Sequence, residues 1–260
     1  MRRMTPIQLE FLGTGTSGGV PLIGCSCPVC TSLDARNHRL RSSVIIRYGT
    51  HAVVIDCGPD FRQQMLRSGQ AQLDAVVLTH EHMDHVAGLD EVRPLNYQQK
   101  TDMAIYCTER VANRLKQQFS YAFGEDKYPG APGLHLVEIA PNKPFIIGGM
   151  EWMPILAMHG TWPVLGYRIG DVVYLTDVSA MTDVEMDKIR GAQILVVNAL
   201  RHQPHVSHFS LLEAQEFARK TGVPYTYFTH ISHQMGDHAA TQSGLPTGMY
   251  LAYDGLHLEA

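Results

Sequence analysis

The stretch Ala75-Val76-Val77-Leu78-Thr79-His80-Glu81-His82-Met83-Asp84-His85 decides how this chain is read. Four apolar residues form a short buried strand, and the chain leaves it directly into His80, His82, Asp84 and His85. Side chains alternate along an extended segment, so His80 and His82 can face one cleft and share a metal ion. Asp84 and His85, one turn further on, can reach a second ion. Burying polar and charged groups without partners is costly. Such a dense set of ligands at a strand end therefore points to metal binding and away from core packing.

Outward from this stretch, short β-branched runs alternate with turns. Strands are expected at 7–12, 43–48, 52–56, 75–78, 104–106, 134–139, 150–157, 165–169, 172–175, 194–197 and 225–228. Helix starts are marked by Asp60 with Gln63, Thr182 with Glu185, and Ser210 with Glu213. The matching stops are Gly69, Gly191 and Gly222. Val111, Leu115 and Phe119 mark a further helix by their four-residue spacing. Strands outnumber helices and mix with them, which implies sheets with helices packed outside. Residues 121–133, with Gly, Pro and three aromatics, read as a surface loop or a flap over the site.

Composition narrows the function classes. The chain has 260 residues, 45% hydrophobic and 18% charged, so it can bury a core and is not disordered. A net charge of -4 excludes a broad basic surface for wrapping nucleic acid. There is no apolar run long enough for a membrane span. The opening Met1-Arg2-Arg3-Met4-Thr5-Pro6 leads into Gln8 and Glu10 with no apolar export segment, so a cytoplasmic protein is expected. The five cysteines are odd in number, and three crowd into Cys25-Ser26-Cys27-Pro28-Val29-Cys30. In a cytosolic chain that clustering indicates metal before disulfide. Cys57 and Cys107 stand alone and read as buried apolar fillers. Gly13-x-Gly15-x-x-Gly18 fits a dinucleotide fingerprint, with Asp34 at a matching distance. Gly19, Pro21 and the cysteines follow where a helix should run, so the loop reads instead as a turn passing close to the metal site.

The His-x-His-x-Asp-His pattern after a strand resembles the metallo-β-lactamase superfamily, and the resemblance covers almost the whole chain. Phe11-Leu12-Gly13-Thr14-Gly15 and Ile55-Asp56-Cys57-Gly58 look like that family's first and third strand ends. The resemblance implies an α+β fold, a four-layer αβ/βα sandwich of two packed mixed sheets flanked by helices. It also implies one domain over 1–260, with a small zinc-binding insertion around 24–31. His159 matches the third ligand of the first metal, Asp177 the carboxylate bridging both, and His230 the last ligand of the second. Asp56 is placed to accept from a metal-bound histidine and fix its tautomer. His208, just before the Ser210 cap, matches the family's general acid, with His202 and His205 as rivals. Arg93, eight residues past His85, could bind a phosphate oxygen.

Three thiolates in a zinc site want a fourth ligand, and His233, three residues after His230, is the choice. The cysteine group together with Thr229-His230-Ile231-Ser232-His233-Gln234 resembles the PhnP-type phosphodiesterases. That resemblance implies two divalent cations in the active site (Zn, Mn or Fe) and one structural Zn. It implies hydrolysis of small phosphodiesters, cyclic ribose phosphates and 2′,3′-cyclic nucleotides among them. A water between the two cations would be acidified, Asp177 would orient it, and His208 would protonate the leaving group. A homodimer is expected, with neither membrane nor nucleic acid as a partner. The alternatives are a ribonuclease Z-like RNA-processing nuclease, a thioester or lactone hydrolase, a lactamase, or a non-enzymatic scaffold. The first needs a long Gly/Lys-rich arm that this sequence lacks. Asp84 argues against a lactamase, and the complete ligand set argues against a scaffold.

Overall fold

A computed structural model describes residues 6–124 and 128–260. Met1–Thr5, and residues 125–127 of the expected flap, lie outside the described residues. The strands are β1 (Ile7–Gly13), β2 (Ser43–Tyr48), β3 (His51–Ile55), β4 (Ala75–Val77), β5 (Met103–Cys107), β6 (Leu134–Glu138) and β7 (Phe145–Ile147). They continue with β8 (Met150–His159), β9 (Trp162–Ile169), β10 (Val172–Tyr174), β11 (Ile194–Asn198), β12 (Tyr225–Thr229), β13 (Met249–Leu251) and β14 (His257–Glu259). The helices are α1 (Phe61–Ser68), α2 (Met83–Val86), α3 (Arg93–Gln99), α4 (Glu109–Gln118), α5 (Ser120–Phe123), α6 (Asp183–Asp187), α7 (Leu211–Thr221) and α8 (His238–Ser243).

The strands form two seven-stranded sheets, ordered β14-β1-β2-β3-β4-β5-β6 and β7-β8-β9-β10-β11-β12-β13. In each order the first three pairings are antiparallel and the last three parallel. Central strands are apolar on both faces because both faces are covered. In β3, Ala52 and Val54 join the layer beneath α1, α3 and α4, while Val53 and Ile55 face the other sheet. In β11, Leu195 and Val197 pack with α7, while Ile194 and Val196 face inward. The two-residue alternation thus builds the four layers of the expected α+β sandwich. Trp152, Tyr167 and Tyr174 fill the space between the sheets with no exposed surface. Burying a large apolar side chain contributes about 1.5–3 kcal/mol. The Tyr167 hydroxyl donates to the Leu78 carbonyl at 2.6 Å, tying the second sheet to the strand end that precedes His80.

The helix signals hold in part. Ser210 and Glu213 form a full capping box, and α7 ends on the left-handed Gly222 as expected. Thr182 caps α6, but that helix ends at Asp187, with Lys188 and not Gly191 as its C-cap. Asp60 does not cap α1 with its side chain. Its carboxylate is drawn off by the Arg41 backbone N–H at 2.8 Å and the Arg41 guanidinium. Strands β7, β13 and β14 and helix α3 are elements that the sequence pattern does not announce. The glycine loop holds no helix after Gly18, as expected. Its backbone instead brackets the turn after His230, Ile231 N–H donating to Thr14 O at 2.8 Å and Thr16 N–H to Ile231 O at 3.2 Å.

Candidate metal centre

Every expected cleft ligand sits at or just beyond a strand end. His80 and His82 follow β4, and His82 leads into α2, which carries Asp84 and His85. His159 closes β8, and His230 follows β12 directly. Asp56, Asp177 and His230 all have left-handed backbones, with φ of 64°, 60° and 55°. For a residue with a Cβ such a conformation costs on the order of 1 kcal/mol or more, and it persists only where the surroundings enforce it. Here the sharp turn swings each side chain back over the sheet edge. Gly58 makes room for this: a Cβ there would collide with the Asp84 carbonyl.

The nearby donor atoms fall into two groups that share one carboxylate. His80, His82 and His159 bring ligand atoms together within 4.8 Å of one another, as do Asp84, His85 and His230. Asp177 lies between them, its Oδ2 3.3 Å from His85 Nε2 and its Oδ1 3.2 Å from His230 Nε2 and 4.0 Å from His159 Nε2. The Nε2 of His85 and both ring nitrogens of His230 are buried with no hydrogen-bond partner. Buried polar atoms are normally paired. Imidazole nitrogens left without partners beside buried carboxylates are the donor set that divalent cations take. The residues therefore fit the metals that the resemblance implies.

Neighbouring groups orient these imidazoles. His85 Nδ1 donates to Asp56 Oδ2 at 2.6 Å, which leaves its Nε2 for the cleft. Asp56 also accepts from the backbone N–H and the hydroxyl of Thr79, both at 2.8 Å. His159 Nδ1 donates to the Ser207 carbonyl at 2.7 Å, presenting its Nε2 in the same way. Burial pushes His80 well below the usual histidine range, and His82 is lowered mainly for the same reason. His85 is equally buried, yet Asp84, Asp177 and Asp56 outweigh that and hold it well up. Burial works to raise Asp177, but His230 and His85 overcome it and hold the carboxyl well down. Cations bind ionised carboxylates and neutral imidazoles, the forms favoured at Asp177 and at His80 and His82.

His208 lies where the general acid was expected. Its Nε2 is 3.0 Å from Asp177 Oδ1, and its Nδ1 is 3.1 Å from both Ser207 Oγ and His205 Nδ1. Burial pushes it down to about 4. His208 also shares a possible ligand group with His159 and Asp177. The rival His202 turns away to the Met235 carbonyl. Arg93 is not brought to these groups. It pairs with Asp90 at 2.7 Å, reaches the Gly130 carbonyl, and lines a separate hollow with Asn96 and Tyr97. Its charge is already neutralised one helical turn away, so its expected role on phosphate has no support in its contacts. Sequence reasoning missed Thr79, the Ser207 carbonyl and the pair Arg110–Trp162. Only the position of Thr79, between an apolar strand and His80, was a usable signal.

The cysteines form a second site. The Sγ atoms of Cys25, Cys27 and Cys30 lie 3.3, 3.4 and 3.6 Å from His233 Nδ1. The Cys30 N–H donates to Cys27 Sγ and the Leu22 N–H to Cys30 Sγ. The first of these bonds, with His233 beside it, lowers Cys27 to about 6, whereas burial raises Cys30 to about 11. Three thiols and an imidazole nitrogen around one point suit a tetrahedral zinc. Cys57 and Cys107 are fully buried and outside both sites, as expected.

Comparison with known proteins agrees with this geometry. Residues 51–231 match the beta-lactamase superfamily domain. A crystal structure described as a new diphosphatase from the PhnP family superposes with a TM-score of 0.92. It is 41% identical and covers 98% of this chain and 97% of its own. A Porphyromonas gingivalis protein named octanoyltransferase is 39% identical over 95% of this chain and 50% of its own length. Coenzyme PQQ synthesis protein B of Acinetobacter baumannii is 26% identical over 62% of this chain and 57% of its own. The chain thus spans little more than half the length of these curated relatives, and their names do not transfer to it. Among the described residues no helix is long and apolar enough to cross a membrane. With two convergent ligand groups on this fold and a near full-length match to a PhnP-family structure, the chain belongs to the metallo-β-lactamase superfamily and, within it, to the PhnP family.

Proposed function

We propose that this metallohydrolase is a phosphodiesterase for small diesters, cyclic ribose phosphates in particular. The observation that carries the reading is the buried Asp177, which lies between the two ligand groups with His208 3.0 Å away. Seven side chains would hold two ions: His80, His82 and His159 on one side, Asp84, His85 and His230 on the other, and Asp177 between. Divalent cations there would acidify a water and neutralise charge on the phosphoryl oxygens. The chain's own groups do the rest. Asp56 and the Ser207 carbonyl keep His85 and His159 in one tautomer each, so the cleft does not have to reorganise. Asp177 accepts a hydrogen bond from the attacking water and orients it. His208 is uncharged at neutral pH as it stands, because burial depresses it. A phosphodiester anion beside it is the opposite charge that raises it again, and its Nε2 then gives a proton to the leaving oxygen.

The 41% identical neighbour described as a PhnP-family diphosphatase supports phosphorus chemistry over lactam or lactone chemistry. Metal-loaded protein should turn over bis(p-nitrophenyl) phosphate and leave nitrocefin and a simple lactone untouched. Turnover of the latter two alone would reject the assignment.

A further inference from the structure

Next to the ligand groups lies a hollow of about 620 Å³, lined by Glu81, His82, Arg110, Asn113, Arg114 and Trp162 among others. Arg110, Asn113, Arg114 and Gln117 follow an i, i+3, i+4, i+7 spacing, which places them on one face of α4. Val111, Ala112 and Leu115 bury the opposite face. Trp162 opens β9, three residues past His159, and is 49% exposed. Its ring lies 6.0 Å from that of His82. The Arg110 guanidinium stacks over the indole, 4.2 Å from its centre. It also donates to Glu81 Oε1 at 2.6 Å, and Glu81 is itself buried between two candidate ligands.

The charge of Arg110 is therefore already met by a carboxylate, and one of its faces by an indole. What remains is a flat ledge and not a free cation. A guanidinium held in plane in this way stacks on aromatic groups. Asn113 and Gln117 add amide donors and acceptors, and Arg114 adds further donors. A ledge of π-surface beside hydrogen-bonding amides recognises a nucleobase, by its face and by its edge. We infer that this hollow is a nucleobase subsite, so that the diester cleaved at the metals belongs to a nucleoside. Arg110 and Trp162 are its specificity-determining residues, and Glu81 is a positioning residue that holds the guanidinium in plane. This inference rests on the phosphodiesterase reading for the reacting end of the substrate.

The test compares adenosine 2′,3′-cyclic phosphate with methyl ribofuranoside 2′,3′-cyclic phosphate, which has the same diester ring and no base. The wild type should favour the nucleotide in kcat/KM by roughly 5- to 150-fold, the size of one base stack, and mainly through KM. In Trp162→Ala and Arg110→Lys that ratio should fall toward one, although the lysine keeps the charge. A ratio retained in Arg110→Lys would mean that charge and not the plane is recognised. A wild type without preference, or variants that lose both substrates in proportion, would also overturn the subsite. A binding readout separates the two readings. Trp152 is fully buried, so quenching of exposed tryptophan emission by adenosine reports on Trp162. Quenching in the wild type, lost in Arg110→Lys, with neither diester hydrolysed would reject the phosphodiesterase and keep the subsite. Equal hydrolysis of both diesters without quenching would do the reverse.

Discussion

Asp56 and Asp177 occupy the same station in the two halves of the molecule and do different work. Each follows the fourth strand of its sheet order, where antiparallel pairing gives way to parallel. Each is left-handed and buried. Asp56 is saturated by Thr79 and His85, and burial raises its carboxyl. Asp177 is bonded by the Thr176 hydroxyl, and its oxygens otherwise face the imidazoles of His85, His208 and His230. The backbone is therefore common and the neighbours decide the role. In the first half the next parallel strand, β4, runs out into the histidine cluster. In the second half β11 ends on Asn198, whose amide only clasps the backbone of Val178. One frame supplies two buried carboxylates, and the residues beyond the adjacent strand make one a support and the other a candidate ligand.

Substitution by the isosteric amide is the strongest way to break this comparison. Asp177→Asn should lose metal from the cleft and diester turnover by about 10⁴-fold or more, since both ions stabilise transition-state charge worth several kcal/mol. Metal analysis beside kinetics would show it, and full metal content with normal turnover would remove Asp177 from the centre. His208→Ala probes a neighbour that Asp56 lacks. It should keep its metals and lose about 10²–10⁴-fold in turnover, most for poor leaving groups. Metal loss in that variant would make His208 a ligand. Asp56→Asn should lose only about 10–100-fold in activity or metal affinity, the size of an orienting partner. A defect equal to that of Asp177→Asn would erase the distinction. Cys27→Ser should lose one zinc and about 5–10 °C in thermal midpoint while the cleft still loads. Only two residues separate His230 from His233, so simultaneous loss of all metals would show that the two sites form one unit.

Which parts were legible follows from the range of the interactions. The histidine cluster is contiguous, and β3, β4 and β11 are apolar runs rich in Val and Ile, so both can be read locally. His159, Asp177 and His230 are single residues after ordinary strands, and only the family resemblance marked them. Strands β7, β13 and β14 are three residues each, too short for a pattern to show; β14 exists only through a distant partner, as Gln8 pairs with Glu259, while β7 is the short arm of a hairpin with β8. Helix α3 carries little apolar periodicity, and Pro94 near its start was the neglected signal. Asp60 had the right type and place for a cap, but Arg41 took its carboxylate. The shared topology of the halves left no repeat in the residues, because pairing direction is set by backbone hydrogen bonds. The Ser207 carbonyl that orients His159 was equally unreadable, since any residue supplies one.

The smallest expected effect concerns the imidazole that distinguishes the surroundings of Asp177 from those of Asp56. Burial holds His208 near 4, while an unfolded histidine titrates near 6.5. Between these values the unfolded chain binds a proton that the native chain does not, so native stability is lost as pH falls through that window. The sign is opposite to that of a histidine raised by a partner. Every pH unit that separates the folded from the unfolded titration corresponds to about 1.4 kcal/mol, and His208 keeps some water contact, so about 2 kcal/mol is expected between about pH 7.5 and 4.5. His208→Gln removes this titration. In urea unfolding of the chelator-treated protein, the variant should gain about that much on the wild type as the pH is lowered. An unchanged difference, or a change in favour of the wild type, would mean that Asp177 already holds His208 protonated. The acid would then be charged before any substrate arrives, and the carboxylate at this station would do for His208 what Asp56 does for His85.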